Sequence, residues 1–141
     1  MTITADNQST LVEWAQRCIG VRFRPDAKAI GRISDGQVRA VVVYDNFSDC
    51  DCSMHIASDG TGRWLTRPLL SAAFHYPFIQ LGLRRVTGLV PAKNKAALHF
   101  DRRLGFKFEG LARCALPDDD IVMLGMTRAE CLFIPKEHRH V

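Results

Sequence analysis

The residues that could do chemistry gather in one stretch of this 141-residue chain, Met54 to Arg67. Met54-His55-Ile56-Ala57 reads as the end of an apolar strand carrying one imidazole, a group suited to proton transfer near neutral pH. Strand alternation places Met54 and Ile56 on one face and His55 on the other. Ser58 to Gly62 is small, polar and glycine-bearing, and a helix begins near Thr66. A helix start offers unpaired N–H groups and a positive dipole end, which favour a phosphate. Gly60 and Gly62 allow close approach to the backbone, while Arg63 and Arg67 add charge. A helix entry anchored by a buried Trp64 would account for the same residues without a ligand. Glu13, Asp45 and Asp49 are further acids, and Tyr44 and Tyr76 could supply a phenol, but no spacing singles one out. Serine or cysteine nucleophile motifs are absent.

The bulk properties are those of one domain. The apolar fraction is 47%, the charged fraction 24% and the net charge +4, with an isoelectric point near 9.0. That composition suits a soluble globular protein with a core of its own. Its mild basicity fits an anionic ligand or weak nucleic-acid contact. Five scattered cysteines (Cys18, Cys50, Cys52, Cys114, Cys131) make a disulfide framework unlikely and suggest a reducing cytosol. Cys50-x-Cys52 is too tight for the usual zinc spacing and has no answering pair, so no metal is expected. The polar start, Met1 to Thr10, lacks a signal-peptide core, and no apolar run reaches membrane-spanning length.

The elements that must position these residues follow from periodicity. Thr10 to Cys18 has helical spacing, with Ser9 as a possible cap. Lys28 to Ile33 is a short strand, Ser34-Asp35-Gly36 a hairpin turn, and Val38 to Tyr44 the most strand-like run. Cys50 to Ala57 is a third strand. Thr66 to about Tyr76 is a helix with Leu69, Leu70, Ala73 and Phe74 on one face, Pro68 in its first turn and Pro77 expected to end or kink it. Arg85 to Val90, Phe106 to Cys114 and Ile121 to Thr127 complete the strands. The segment 135–141 is expected to be a flexible tail, and His138-x-His140 within it a chance pair.

The most informative block is Asn94-Lys95-Ala96-Ala97-Leu98-His99-Phe100-Asp101-Arg102-Arg103-Leu104-Gly105-Phe106. Asn94 is a good N-cap, Ala97, Leu98 and Leu104 space an apolar face, and Gly105 suits a left-handed C-terminal cap. This block resembles the Asn-x-x-Ala…Leu-Gly-Phe segment of the GNAT superfamily of N-acetyltransferases. Element order from Lys28 to Glu130 is similar to that family too, although its usual second N-terminal helix is short or missing. The overall impression is of small members encoded in phages and prophages.

The resemblance implies an α/β (α+β) fold, a mixed, mostly antiparallel central sheet with helices on both faces, as a single domain with its core at about 28–130. It implies acetyl-CoA as co-substrate. Gly62, Arg63, Trp64, Leu65, Thr66 and Arg67 then hold the pyrophosphate. The family loop reads Gln/Arg-x-x-Gly-x-Gly/Ala; alignment on Thr66 puts Arg63 and Leu65 at its two small-residue places, while sliding by one restores Gly62 but puts Trp64 at the second. Ile56 and Ala57 lie on the strand that pairs with the pantetheine arm, and Asn94 and Ala97 at the second helix. The thioester lies between two splayed strands, with His55 the best candidate base. Asp101 occupies the place where the family often has a tyrosine acid; an ordinary carboxylate cannot donate a proton near neutrality, so only burial would fit it for that role.

The resulting expectation is a cytoplasmic acyl-CoA-dependent N-acyltransferase that moves acetyl to a primary amine by direct attack in a ternary complex, with a homodimer possible. Two alternatives stand beside it. One is a catalytically inactive CoA-binding or protein-interaction module, consistent with the altered loop and Asp101. The other is a basic nucleic-acid-associated protein, which requires Arg84-Arg85, Lys93-Lys95 and Arg102-Arg103 to form one stripe.

Overall fold

The computed structural model describes residues 2–60 and 65–140. Seven strands form one sheet: β1 (Thr2–Thr4), β2 (Lys28–Ser34), β3 (Gln37–Asp45), β4 (Ser53–Ser58), β5 (Arg85–Pro91), β6 (Lys107–Leu116) and β7 (Asp119–Thr127). Their order across the sheet is β1-β2-β3-β4-β5-β7-β6, antiparallel throughout except for β4 beside β5. Three helices join them: α1 (Gln8–Ile19), α2 (Arg67–His75) and α3 (Lys95–Leu104). The expected mixed, mostly antiparallel sheet with helices on both faces is what forms.

The β-branched run of β3 explains where the core sits. Val41 and Val43 pack with Leu11 and Ala15 of α1, together with Phe23, Ala29 and Ala57. Ala40, Val42 and Tyr44 point the other way and pack with Leu69, Leu70, Ala73 and Phe74 of α2. A central strand covered on both faces reads as a continuous apolar run, as this one does. On the α1 side Gly31 of β2 is required by contact: an added Cβ would lie 2.6 Å from a buried Leu11 methyl.

Several elements differ from expectation for local reasons. β1 is a three-residue strand, Thr2-Ile3-Thr4, too short to give a periodic signal. α1 starts earlier than Thr10; Asn7, in the left-handed region, precedes it and its carbonyl accepts from Leu11 N–H at 3.1 Å. As expected at Pro77, α2 ends just before it, at His75. α2 passes into a π-helical turn, Tyr76–Gln80, closed by Leu81 N–H to the Tyr76 carbonyl at 3.0 Å. Proline has no N–H to give the carbonyl four residues back. That carbonyl, Ala73, accepts instead from the buried Tyr44 hydroxyl. The segment 135–140 is largely exposed, but it carries a single 3-10 turn and is tied back. Arg139 donates to the Ile134 carbonyl at 3.0 Å, and Arg128 to the His140 carbonyl at 2.6 Å. Asn94 and Gly105 perform their expected caps, Asn94 accepting from Ala97 N–H at 3.1 Å and Gly105 at φ 117°.

β4 and β5 are the exception to a well-paired sheet. Their ladder consists of one register pair, Ser53 with Thr87. Around it the join is tight: Thr87 N–H donates to the Cys52 carbonyl at 2.9 Å, and Arg84 and Arg85 N–H to the Cys50 carbonyl at 3.0 and 3.1 Å. The Thr87 hydroxyl donates to the Asp51 carboxylate at 2.8 Å. Arg85 reaches Asp51 at 3.5 Å and Glu109 at 2.7 Å. Beyond this clamp the two strands diverge.

The Tyr44–Ala73 bond makes a direct prediction. Tyr44→Phe leaves a buried carbonyl unsatisfied, and urea denaturation should show a loss of about 1–3 kcal/mol. Tyr76→Phe, whose hydroxyl has no such task, should lose far less.

Candidate active site

The divergence of β4 and β5 opens a cavity of about 470 Å³. β4 lends Met54 to Ser58, β5 lends Leu89 to Pro91, and α3 lends Asn94, Ala97, Phe100 and Asp101, while Cys18 and Ile19 close it from the end of α1. One edge of β4 pairs with β3 along its whole length. Its other edge has no ladder partner after Ser53, so it offers free backbone donors and acceptors to whatever enters.

His55 sits opposite Val43 in the β3–β4 register, on the α1 face as alternation suggested. Asp45, opposite Ser53, is its diagonal neighbour on that face. His55 Nε2 and Asp45 Oδ1 are 3.0 Å apart. Arg24 N–H donates to the other carboxylate oxygen at 3.1 Å. The Phe23 ring packs against the imidazole with centroids 5.0 Å apart. Burial pushes the Asp45 carboxyl up, but the bonds from His55 and Arg24 and their positive charge outweigh it and hold the group below its usual range. An ionised carboxylate only accepts, so Nε2 carries the proton of that bond and Nδ1 remains the acceptor of the ring.

Asp101 approaches the gap from the other side. A Cβ on Gly88, the residue after the clamp, would lie 3.7 Å from its Oδ2. Burial pushes its carboxyl up to about 6, against a smaller downward pull from the charge on His55. Asp101 is half-buried and makes no arginine ion pair among the described residues. An imidazole held by a carboxylate and a second carboxyl raised by burial thus line one largely apolar cleft.

Six of the residues singled out in the sequence, His55, Ile56, Ala57, Asn94, Ala97 and Asp101, line this cavity. Leu65, Thr66 and Arg67 do not; they form the start of α2, where the Thr66 hydroxyl caps the helix by accepting from Leu69 N–H at 3.3 Å. Gly62, Arg63 and Trp64 lie outside the described residues. Tyr44 and Tyr76, weighed as phenol donors, do not line the cavity: Tyr44 is wholly buried and committed to Ala73, and the tilted Tyr76 ring packs on it with centroids 5.0 Å apart. Glu13 and Asp49 do not line the cavity. Asp45 and the Phe23-Arg24 segment were not singled out as partners of His55. Their signal is the hairpin register, which spacing alone leaves open.

Arg85 and the Lys93-Lys95 pair do not join in one stripe. Arg85 is consumed by Asp51 and Glu109 at the start of β5, whereas Lys93 and Lys95 lie beyond its other end. Burial pushes the Cys52 and Cys131 thiols up to about 12 and about 11, which leaves them protonated and inert. Among the described residues no three His, Cys, Asp or Glu converge as a metal site, and no helix is long and apolar enough to cross a membrane.

No family model and no curated protein matches the sequence. Solved structures do. A spermidine N-acetyltransferase SpeG mutant from Vibrio cholerae superposes with TM-score 0.75 at 15% identity, covering 93% of this chain and 95% of that one. The ribosomal-protein-S18-alanine N-acetyltransferase from Escherichia coli gives TM-score 0.65 at 18% identity, covering 89% and 92%. The Campylobacter jejuni N-acetyltransferase PseH in complex with acetyl coenzyme A gives 0.56 at 16% identity, covering 74% and 70%. The fold is that of the GNAT N-acetyltransferases.

The raised pKa of Asp101 has a stability consequence. Stability from such a group is fullest below the unfolded carboxyl range near 4 and falls as pH rises through about 6. Asp101→Asn should therefore stabilise the fold at pH 8, by at most about 3 kcal/mol, and lose that advantage by pH 4. Denaturation at the two pH values checks it.

Proposed function

We propose that this chain is an acetyl-CoA-dependent N-acetyltransferase that transfers acetyl to a primary amine by direct attack in a ternary complex. The observation that carries the reading is the parting of β4 from β5 after one register pair, with His55 and Asp101 facing the gap. An amide-bearing arm such as pantetheine fits a strand edge, because extended amides add to it as a further strand would. In this reading the free edge at Ile56 and Ala57 receives the arm, Asn94 and Ala97 flank it, and residues Gly62, Arg63, Trp64, Leu65, Thr66 and Arg67 at the α2 entry hold the pyrophosphate. Five free cysteines suit the reducing cytosol where such a co-substrate is found.

The chain's own groups then divide the proton work. The ammonium acceptor gives a proton to His55 Nδ1, with Asp45 holding the ring through Nε2 and stabilising the charge it gains. The freed amine attacks the thioester carbonyl and the N–C bond forms; as the C–S bond breaks, the leaving thiolate takes a proton from Asp101, and the second proton of the attacking nitrogen passes to the Asp101 carboxylate so formed, leaving a neutral amide, a thiol and the one proton held on His55 for release to water. Asp101 serves there because burial brings its carboxyl to about 6, near enough to neutrality to be protonated in a useful fraction. Orientation in the cleft supplies much of the remaining rate.

Calorimetric titration with acetyl-CoA tests the binding half of the reading. Micromolar affinity is expected, weakened on the order of tenfold or more by the double variant Arg63→Ala, Arg67→Ala. Product analysis with an accepted amine tests the chemical half: His55→Ala should lower kcat by roughly 10²–10⁴ with acetyl-CoA affinity unchanged. Absence of acetyl-CoA binding to the unaltered protein would sink the proposal, whereas binding without turnover of any amine would favour the inactive-module alternative.

A further inference from the structure

We infer that the acceptor is a primary amine on an uncharged apolar body, an arylalkyl- or alkylamine, and that this body lies on a platform of Ile19, Leu89 and Met123 beside the cavity. The inference rests on the acetyltransferase reading above and names its acceptor class. Three observations lead to it.

The first is what the cavity lacks. Apart from His55, Ser58, Asn94 and Asp101, every described residue lining it is apolar. No lysine or arginine among them is available to a carboxylate or phosphate on the acceptor. The only acid among these described residues is Asp101, so a polyamine held by it would have no second acid for its distant ammonium. A charge without a partner in such a site is penalised, so the uncharged body is preferred.

The second is an apolar surface continuous with the cavity. Ile19 and Leu89 line the cavity and are still 40% and 39% exposed. Leu89 sits directly opposite Met123 of β7, which is 42% exposed. The Ser53–Thr87 pair sets Thr87, and hence Leu89, on the same face of the sheet as His55. The platform and the base therefore share one side.

The third is why that face is bare. α1 ends at Gly20, whose φ of 79° turns the chain away. α1 packs mainly on β2, β3 and β4. Leu89 of β5 and Met123 of β7 on that face are thus left partly exposed among the described residues, next to the point where an amine must enter. Exposed apolar area beside a cleft is a recurrent mark of ligand contact.

The test is steady-state kinetics at saturating acetyl-CoA, with acetylated product measured by mass spectrometry. The amines are phenethylamine, hexylamine, ethylamine, spermidine and 4-aminobutyrate. Expected kcat/KM for phenethylamine and hexylamine exceeds that for spermidine and 4-aminobutyrate by at least about tenfold. Met123→Glu, an exposed substitution outside the cavity, should raise KM for phenethylamine on the order of tenfold. It should leave ethylamine kinetics, acetyl-CoA affinity and the melting temperature close to those of the unaltered protein. Preference for spermidine or 4-aminobutyrate, or an unchanged phenethylamine-to-ethylamine ratio in Met123→Glu, overturns this inference while acetyl-CoA binding and turnover keep the acetyltransferase reading. Failure to bind acetyl-CoA overturns both.

Discussion

One register pair, Ser53 with Thr87, governs this molecule. It joins the two halves of the sheet and then stops, so the strands on either side part and a cleft opens in what would otherwise be continuous core. Sheet edges left unpaired inside a protein are normally covered. Here the join is made firm at one end by Asp51, Thr87, Arg85 and Glu109, and the free edges are left beyond it. The clamp includes partly exposed ion pairs worth little singly, but as a connected network anchored on the buried Thr87 it fixes where the divergence starts.

Each half of the sheet then brings one proton-carrying group to the gap. From the left half, the hairpin of β3 and β4 sets Asp45 diagonal to His55, and the segment after α1 completes the setting with the Phe23 ring and the Arg24 N–H. From the right half, α3 folds back over β5 and carries Asp101 to the level of Gly88. Neither carboxyl behaves as it would on a surface. Asp45, well supplied with donors, is held ionised; Asp101, buried with little compensation, is pushed towards neutrality. Two acids of the same type thus shift in opposite directions because their surroundings differ.

Much of this was legible in the residues, and the boundary is physical. The Val41-Val42-Val43 run, the hairpin glycine, the Asn94 cap and Gly105 all act through local rules, and they form as those rules require. The helix faces of α2 were readable because Leu69, Leu70, Ala73 and Phe74 repeat at helical spacing. What local rules leave open is the long-range register. The partnership of Asp45 with His55 depends on the offset between two strands, and the burial of Asp101 depends on how α3 lies over β5. The π-helical turn after α2 shows the same limit: Pro77 announces an orphaned carbonyl, but only the fold shows that Tyr44 answers it. The same holds for Arg85, whose pairing with acids across the sheet no local rule announces.

The central claim is that the free edge of β4 is a seat for the arm of acetyl-CoA. Backbone hydrogen exchange measured residue by residue, with and without acetyl-CoA, addresses it most directly. The account predicts that exchange at Ile56, Ala57 or Ser58 slows on the order of tenfold or more on binding, while amides of β2 and β6 change little. Binding that leaves all three β4 amides unprotected, or protects a different strand edge instead, would contradict it.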